Sequence, residues 1–255
     1  MYEKSVADVA FMQGEYETAA SMYLEGARDG DSMAAFNYGY CLLTGLGVDY
    51  DPKEAKSFFA FARDLKGGEA SYNIAMLYLR GEGMPKNYVK AYEYLKVSAE
   101  QGCIEAQLYL GMAYTTGCMF DPDIIYISMI PCHTPIYFDD RYMLGGDVTD
   151  FELDEDMRYS AIKQDARSAF EWFQIASRHN PDYVEDLVAK GKYLYARCYV
   201  DGLGTDFNRD KSIRLMFLAQ KSGSAEATAY ILENGLTRDM LEKPSSGRLK
   251  SGRNR

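Results

Sequence analysis

The hydrophobic pattern of the chain repeats with a fixed period. Ala34, Ala70 and Ala106 stand 36 residues apart, as do Gly45, Gly81 and Gly117, and Ala19, Ala55 and Ala91 keep the same spacing. A period in the range of 20 to 50 residues is the signature of stacked supersecondary units, so it decides the architecture before any local reading. Each unit opens on an apolar stripe: Ala34, Tyr38, Gly39, Leu42; then Ala70, Ile74, Ala75, Tyr78; then Ala106, Leu110, Gly111, Tyr114. Offsets of four, five and eight place these side chains on one helical face. The small residue at Gly39, Ala75 and Gly111 lets a neighbouring helix come close.

A glycine-rich break ends this first helix in Gly45-Leu46-Gly47-Val48, Gly81-Glu82-Gly83-Met84 and Gly202-Leu203-Gly204-Thr205. The first glycine suits the left-handed position past a helix C-terminus, where a side chain costs about 1 kcal/mol or more. A phosphate-binding role does not fit, because no Lys-Ser or Lys-Thr pair follows and the spacing matches neither a Walker loop nor a dinucleotide fingerprint. Four residues after each second glycine stands a helix N-cap, Asp51, Asn87 or Asn208. Each should accept hydrogen bonds from unpaired first-turn amides, worth about 1 kcal/mol. The second helix then carries a small residue, two bulky ones and another small one. The instances are Ala19, Met22, Tyr23, Gly26; Ala55, Phe58, Phe59, Ala62; Ala91, Tyr94, Leu95, Ser98; Ala169, Trp172, Phe173, Ala176; and Ser212, Leu215, Met216, Ala219. Aromatic residues at these positions read as core rather than as a cofactor box.

The consensus Ala-x-x-x-Leu-Gly-x-x-Tyr-x-x-Gly-x-Gly-Val-x-x-Asp-x-x-Lys-Ala-x-x-Trp resembles the Sel-one-like repeats, a branch of the tetratricopeptide-type helical repeats, over residues 31–117 and 164–235. The opening Gly14-Glu15-Tyr16-Glu17-Thr18-Ala19 resembles a tetratricopeptide half-repeat, so residues 1–30 are expected to form an N-terminal cap; residues 225–235 resemble a lone first helix closing the stack. What the resemblance implies is an all-α fold, a right-handed α/α superhelix of antiparallel helix pairs, working as a protein-binding adaptor. In that family enzymatic activity is the exception. The first helix of each pair is expected to line the concave side, so Asn37 and Asn73, which share a register, and Tyr40 and Met76, which share another, are candidate partner-binding residues.

One repeat breaks the pattern. After Gly117 the next second helix is expected only at about Asp165, so Cys118 to Lys163, 46 residues, replace a turn of about six. Long loops inside compact folds commonly carry function or structure of their own. Two β-prone runs, 123–130 and 135–138, predict a small β-hairpin, and ten acidic residues against Arg141, Arg158 and Lys163 give the insertion a charge of −7. Tyr126, Tyr137, Asp139 and Asp140 are therefore further candidates for contacting a partner; the alternative is a loop that only shields one edge. Repeats are expected over 31–235, interrupted at 118–163, followed by a basic tail, 236–255, that lacks apolar periodicity and is expected to be disordered.

Charge narrows the choice of partner. The formal net charge is −10, yet the last 13 residues hold Lys243, Arg248, Lys250, Arg253 and Arg255 and no acid. The remainder carries 23 basic against 38 acidic residues, −15, which repels a phosphate backbone and favours a basic or mixed-charge protein over nucleic acid. No apolar leader or run of about 18 apolar residues appears, so the expectation is a cytoplasmic protein without a membrane span. The five cysteines, Cys41, Cys103, Cys118, Cys132 and Cys198, are unevenly spaced and read as reduced, packed thiols. Cys132-His133 beside Asp139 and Asp140, with Cys118 and His179 elsewhere, lacks the paired spacing of a zinc site or a thiol active site. The expectation is no metal, no cofactor and no catalytic residue. An enzyme whose active site comes from the insertion and a structural subunit of an assembly are the competing readings.

Overall fold

The computed structural model describes residues 5–64, 68–117, 119, 162–179 and 185–241. These residues hold eleven α-helices, two short 3-10 turns and no strand. The chain divides into two compact units, Met1–Asp165 and Ala166–Arg255. The first contains α1 (Val6–Met12), α2 (Tyr16–Arg28), α3 (Ser32–Thr44), α4 (Pro52–Phe61), α5 (Glu69–Arg80), α6 (Tyr88–Gln101) and α7 (Ile104–Thr116); the second contains α8 (Ala166–Ala176), α9 (Glu185–Asp201), α10 (Arg209–Lys221) and α11 (Ala225–Glu233). Successive helices pack on one another within each unit. The all-α class expected from the 36-residue period is the one observed. The β-prone runs of the insertion and residues 242–255 of the tail lie outside the described residues.

The local signals act where the sequence places them. Asp51, Asn87 and Asn208 each accept a hydrogen bond from the amide three residues on, those of Glu54, Lys90 and Lys211, at 2.9 Å in every case. Their own backbone N–H groups donate to the carbonyls of Leu42, Tyr78 and Tyr199 at 2.9–3.0 Å, closing the turn between the two helices of a pair. The same bond survives the insertion: the Asp165 amide donates to the Tyr114 carbonyl at 2.9 Å, and Gln164 Nε2 donates to the Thr115 carbonyl at 3.0 Å. Chain inserted between Gly117 and Gln164 therefore leaves the repeat closure intact, because both ends return to one point at the end of α7.

Packing follows the stripes, with one refinement. In the second helices Tyr23, Phe59, Leu95, Phe173 and Met216 are buried, whereas the bulky residue just before each is only half-buried or, at Met22, exposed. Phe58, for example, lies edge-on against Tyr38 with centroids 4.7 Å apart. The pair of bulky residues is thus split between core and rim, since neighbouring positions on a helix point about 100° apart.

In the turns opened by Gly45 and Gly202 the two glycines do different work. Gly45 and Gly202 take φ of +69° and +70° with nothing closer than 3.6 Å to a Cβ placed there, so their role is conformational. Gly47 and Gly204 also have positive φ, but they press on backbone: a Cβ at Gly47 would overlap the Tyr16 carbonyl, and one at Gly204 the Ala166 carbonyl. Gly83 likewise meets Lys53 N at 2.8 Å. The second glycine therefore rests on the first turn of the second helix of the preceding repeat, a repeat-to-repeat contact that only a missing side chain allows.

Candidate functional site

Relative to the repeat alanine, the positions one before, three after and six after form a stripe along each first helix, one face of a 3.6-residue period. In the first unit the stripe comprises Met33, Asn37, Tyr40 on α3, Glu69, Asn73, Met76 on α5, and Glu105, Tyr109, Met112 on α7. It contains four of the eight candidate partner-binding residues. The other four, Tyr126, Tyr137, Asp139 and Asp140, lie outside the described residues.

The structure places the four differently. Asn37 and Tyr40 engage α1: Asn37 Nδ2 donates to Asp8 Oδ1 at 3.2 Å, the same oxygen accepts from Tyr23 Oη at 2.8 Å, and the Phe11 ring stands edge-on to Tyr40 at 6.2 Å. Asp8 also closes a capping box with Ser5. One carboxylate thus ties the first three helices together. Asn73 and Met76 are buried, 1% and 0% exposed, although sequence register suggested that they face outward. Among the described residues Asn73 has no hydrogen-bond partner for either amide atom, and neither has the Tyr72 hydroxyl beside it. A buried polar group left unpaired costs about 1–3 kcal/mol.

Two carboxylates that sequence reasoning passed over share this neighbourhood. Glu69 and Glu105 immediately precede Ala70 and Ala106, so they hold the same register on consecutive first helices; the 36-residue spacing was the signal that could have found them. Burial raises the Glu105 carboxyl above its ordinary range, against the lowering effect of a hydrogen bond from Cys103 Sγ to Oε2 at 3.1 Å; the nearby charge of Glu69 raises it further. Burial likewise raises Glu69. Tyr72 is held well above 10, first by burial and then by the charge of Glu105. Arg80, at the far end of α5, acts weakly in the other direction and lies 3.9 Å from Glu82.

The second unit carries the corresponding stripe as Lys190, Leu194, Arg197 on α9 and Glu226, Tyr230, Glu233 on α11. Here the first register is an ion pair. Lys190 Nζ lies 2.5 Å from Glu226 Oε1, and Ser224 Oγ donates to Oε2 of the same carboxylate at 2.8 Å. Although burial opposes it, the lysine holds the Glu226 carboxyl below its ordinary range. Arg197 donates to Tyr193 Oη at 3.0 Å and to Asp201 at 3.1 Å and lies over the Tyr230 ring.

The groups this stripe carries are charged, amide and aromatic, and in the first unit Asn73, Met76, Glu105, Tyr109 and Met112 of it are buried. Burial pushes the Cys41 thiol up to about 11 and Cys198 up to about 12, and holds Cys103 well above its usual value, so all three are neutral thiols at physiological pH. Among the described residues no group of three His, Cys, Asp or Glu side chains is placed to hold a metal ion, and no helix is long and apolar enough to cross a membrane.

Helix pairs closed by a Gly-x-Gly turn, capped at constant register and stacked through the second glycine, define a helical-repeat protein of the α-solenoid class. The Sel1 repeat matches at residues 32–66, 68–103, 104–124, 158–181 and 189–224, more than half of the sequence. The chain belongs to the Sel1 repeat family, whose members generally mediate protein–protein interaction and typically serve as non-catalytic scaffolds. In fold it is similar to a Sel1 repeat protein from Oxalobacter formigenes, at 18% identity and a TM-score of 0.64, over 89% of this chain and 73% of that one. It is also similar to a protective antigen of uropathogenic Escherichia coli displaying an SLR fold, at 22% identity and a TM-score of 0.62, over 90% of this chain. The chain spans 40% of the length of that antigen. No curated protein matches it in sequence.

Proposed function

We propose that this protein is a non-catalytic adaptor that grips another protein along the first-helix stripe of its first unit, with the 118–163 insertion adding specificity. Residues 1–30 serve as the cap, 31–235 as the repeats and 236–255 as a basic tail. The observation that carries the reading is Asn73, buried on the stripe with both amide atoms unpaired. A fold that needed this position only for packing would favour an apolar residue there, whereas a side-chain amide can hold the backbone of an extended segment. The acidic body and the −7 insertion favour a partner of basic or mixed charge over nucleic acid.

The test is affinity capture from the native cell extract with the full chain, with Asn73→Ala and with residues 119–163 deleted, at low and moderate salt. The retained protein is then purified and its binding measured directly. A stoichiometric protein held by the full chain and weakened by both changes is expected. Retention of no protein by the full chain would refute the adaptor reading, and undiminished binding by the deletion would remove the insertion from it.

A further inference from the structure

We infer that Glu69 and Glu105 form the seat for a single basic side chain, lysine or arginine, of the partner; the inference rests on the adaptor reading and deepens it. The protein's own repeats supply the precedent. At this register the second unit sets a lysine against a glutamate, Lys190 on Glu226, and closes the carboxylate with Ser224. The first unit has a glutamate at both positions, and among the described residues neither Glu69 nor Glu105 meets a basic side chain. Two carboxylates stand where the fold elsewhere completes the register with a cation.

The surroundings suit such a guest. Asn73 lies four residues after Glu69, one turn further along the same face, and its carbonyl oxygen is a buried acceptor without a donor. The Tyr72 hydroxyl, within the field of Glu105, is a second buried oxygen without a partner. An ammonium has three donors and a guanidinium five, and neither accepts, so a basic side chain suits the two carboxylates, the Asn73 amide oxygen and the Tyr72 oxygen, while the unpaired Asn73 Nδ2 needs an acceptor from another group of the partner. Glu105, Tyr72 and Asn73 are buried, whereas Glu69, at the same register one repeat earlier, is half-exposed. The second unit offers no equivalent seat, because Lys190 already occupies its own.

The test measures binding of a fluorescent peptide of alternating glycine and lysine, its arginine counterpart, a glycine and glutamate control, and a peptide of this chain's residues 243–255. The proteins are the full chain, Glu69→Gln, Glu105→Gln, Asn73→Leu and, as a charge control on α6, Glu93→Gln, each first checked by circular dichroism and melting temperature. The expected result is binding of a basic peptide that falls about tenfold or more in Glu69→Gln and Glu105→Gln and is unchanged in Glu93→Gln. Asn73→Leu separates folding from recognition: it should melt no lower than the full chain yet bind more weakly. Equal weakening in Glu93→Gln would show diffuse attraction to an acidic surface and overturn the proposal, as would no binding of any basic peptide. Tightest binding by the 243–255 peptide would assign the seat to the chain's own tail and overturn the assignment to a partner. If partner capture survives Glu69→Gln with Glu105→Gln, the seat fails while the adaptor reading stands.

Discussion

Replacing either glycine of one turn by alanine should separate conformational strain from repeat-to-repeat contact. Gly202 and Gly204 are the pair to use, because the single tryptophan, Trp172, lies on α8 in the same unit and reports on its unfolding. Both glycines have positive φ, +70° and +66°, where an L-residue costs about 1–2 kcal/mol, offset by about 0.4–1 kcal/mol of lost unfolded-state freedom. For Gly202→Ala nothing more is added, since the nearest atom to its Cβ is 3.6 Å away. The Gly204→Ala methyl would overlap the Ala166 carbonyl oxygen and lie 2.7 Å from its carbon and 2.8 Å from Phe170 Cβ. Those are backbone and Cβ atoms, which cannot swing aside, so α8 must shift, at about 1–3 kcal/mol more. Urea unfolding followed by Trp172 fluorescence should therefore place the Gly204→Ala midpoint about 0.5–1.5 M below that of Gly202→Ala, taking about 2 kcal/mol per molar for the denaturant slope. Coincident midpoints, or a milder effect at Gly204, would refute the claim that the second glycine joins successive repeats.

Other perturbations follow from the same contacts. Asp8→Ala removes the acceptor shared by Tyr23 and Asn37 together with the Ser5 capping box, and should destabilise the N-terminal helices by about 1–3 kcal/mol, read as faster amide exchange in α1 and α2. The Glu226 carboxyl is depressed in the folded state, so its contribution is present above the ordinary glutamate range and lost as pH falls through the depressed value. The second unit should thus lose stability in acid, and Lys190→Met should abolish that part of the pH dependence; an unchanged Trp172 melting profile would count against it. Cys41, Cys103 and Cys198 are buried with raised pKa values and should resist iodoacetamide at pH 7.5 until denaturant is added, as peptide mass mapping would show. Prompt labelling of Cys103 in the native protein would contradict its burial against Glu105.

The period, the helix pairs and their boundaries were legible in the sequence because each repeat meets the same neighbours and so keeps the same residues at the same register. Ala34, Ala70 and Ala106, the caps Asp51, Asn87 and Asn208, and the first glycine of each turn answer to local rules, which spacing alone expresses. Asp165 is a further case, recognisable as the resumption of the repeat 48 residues after Gly117 and found in the same backbone bond as its siblings.

Whatever depends on what lies across from a residue was decided only by the tertiary structure. Asn37 and Asn73 have one register and one chemistry in sequence, yet α1 brings Asp8 to the first, whereas the second is buried with no partner among the described residues. The second glycine is only a turn residue in the sequence until the preceding repeat's backbone is seen against it. Glu69 and Glu105 are two unremarked acids until folding sets them at one register on consecutive first helices, where Lys190 and Glu226 show what the same register looks like when the chain supplies its own cation. Helical period is a property of neighbours along the chain and survives in a string of letters; burial, electrostatic field and hydrogen-bond partners depend on distances between residues far apart in that string, which exist only once the repeats have stacked.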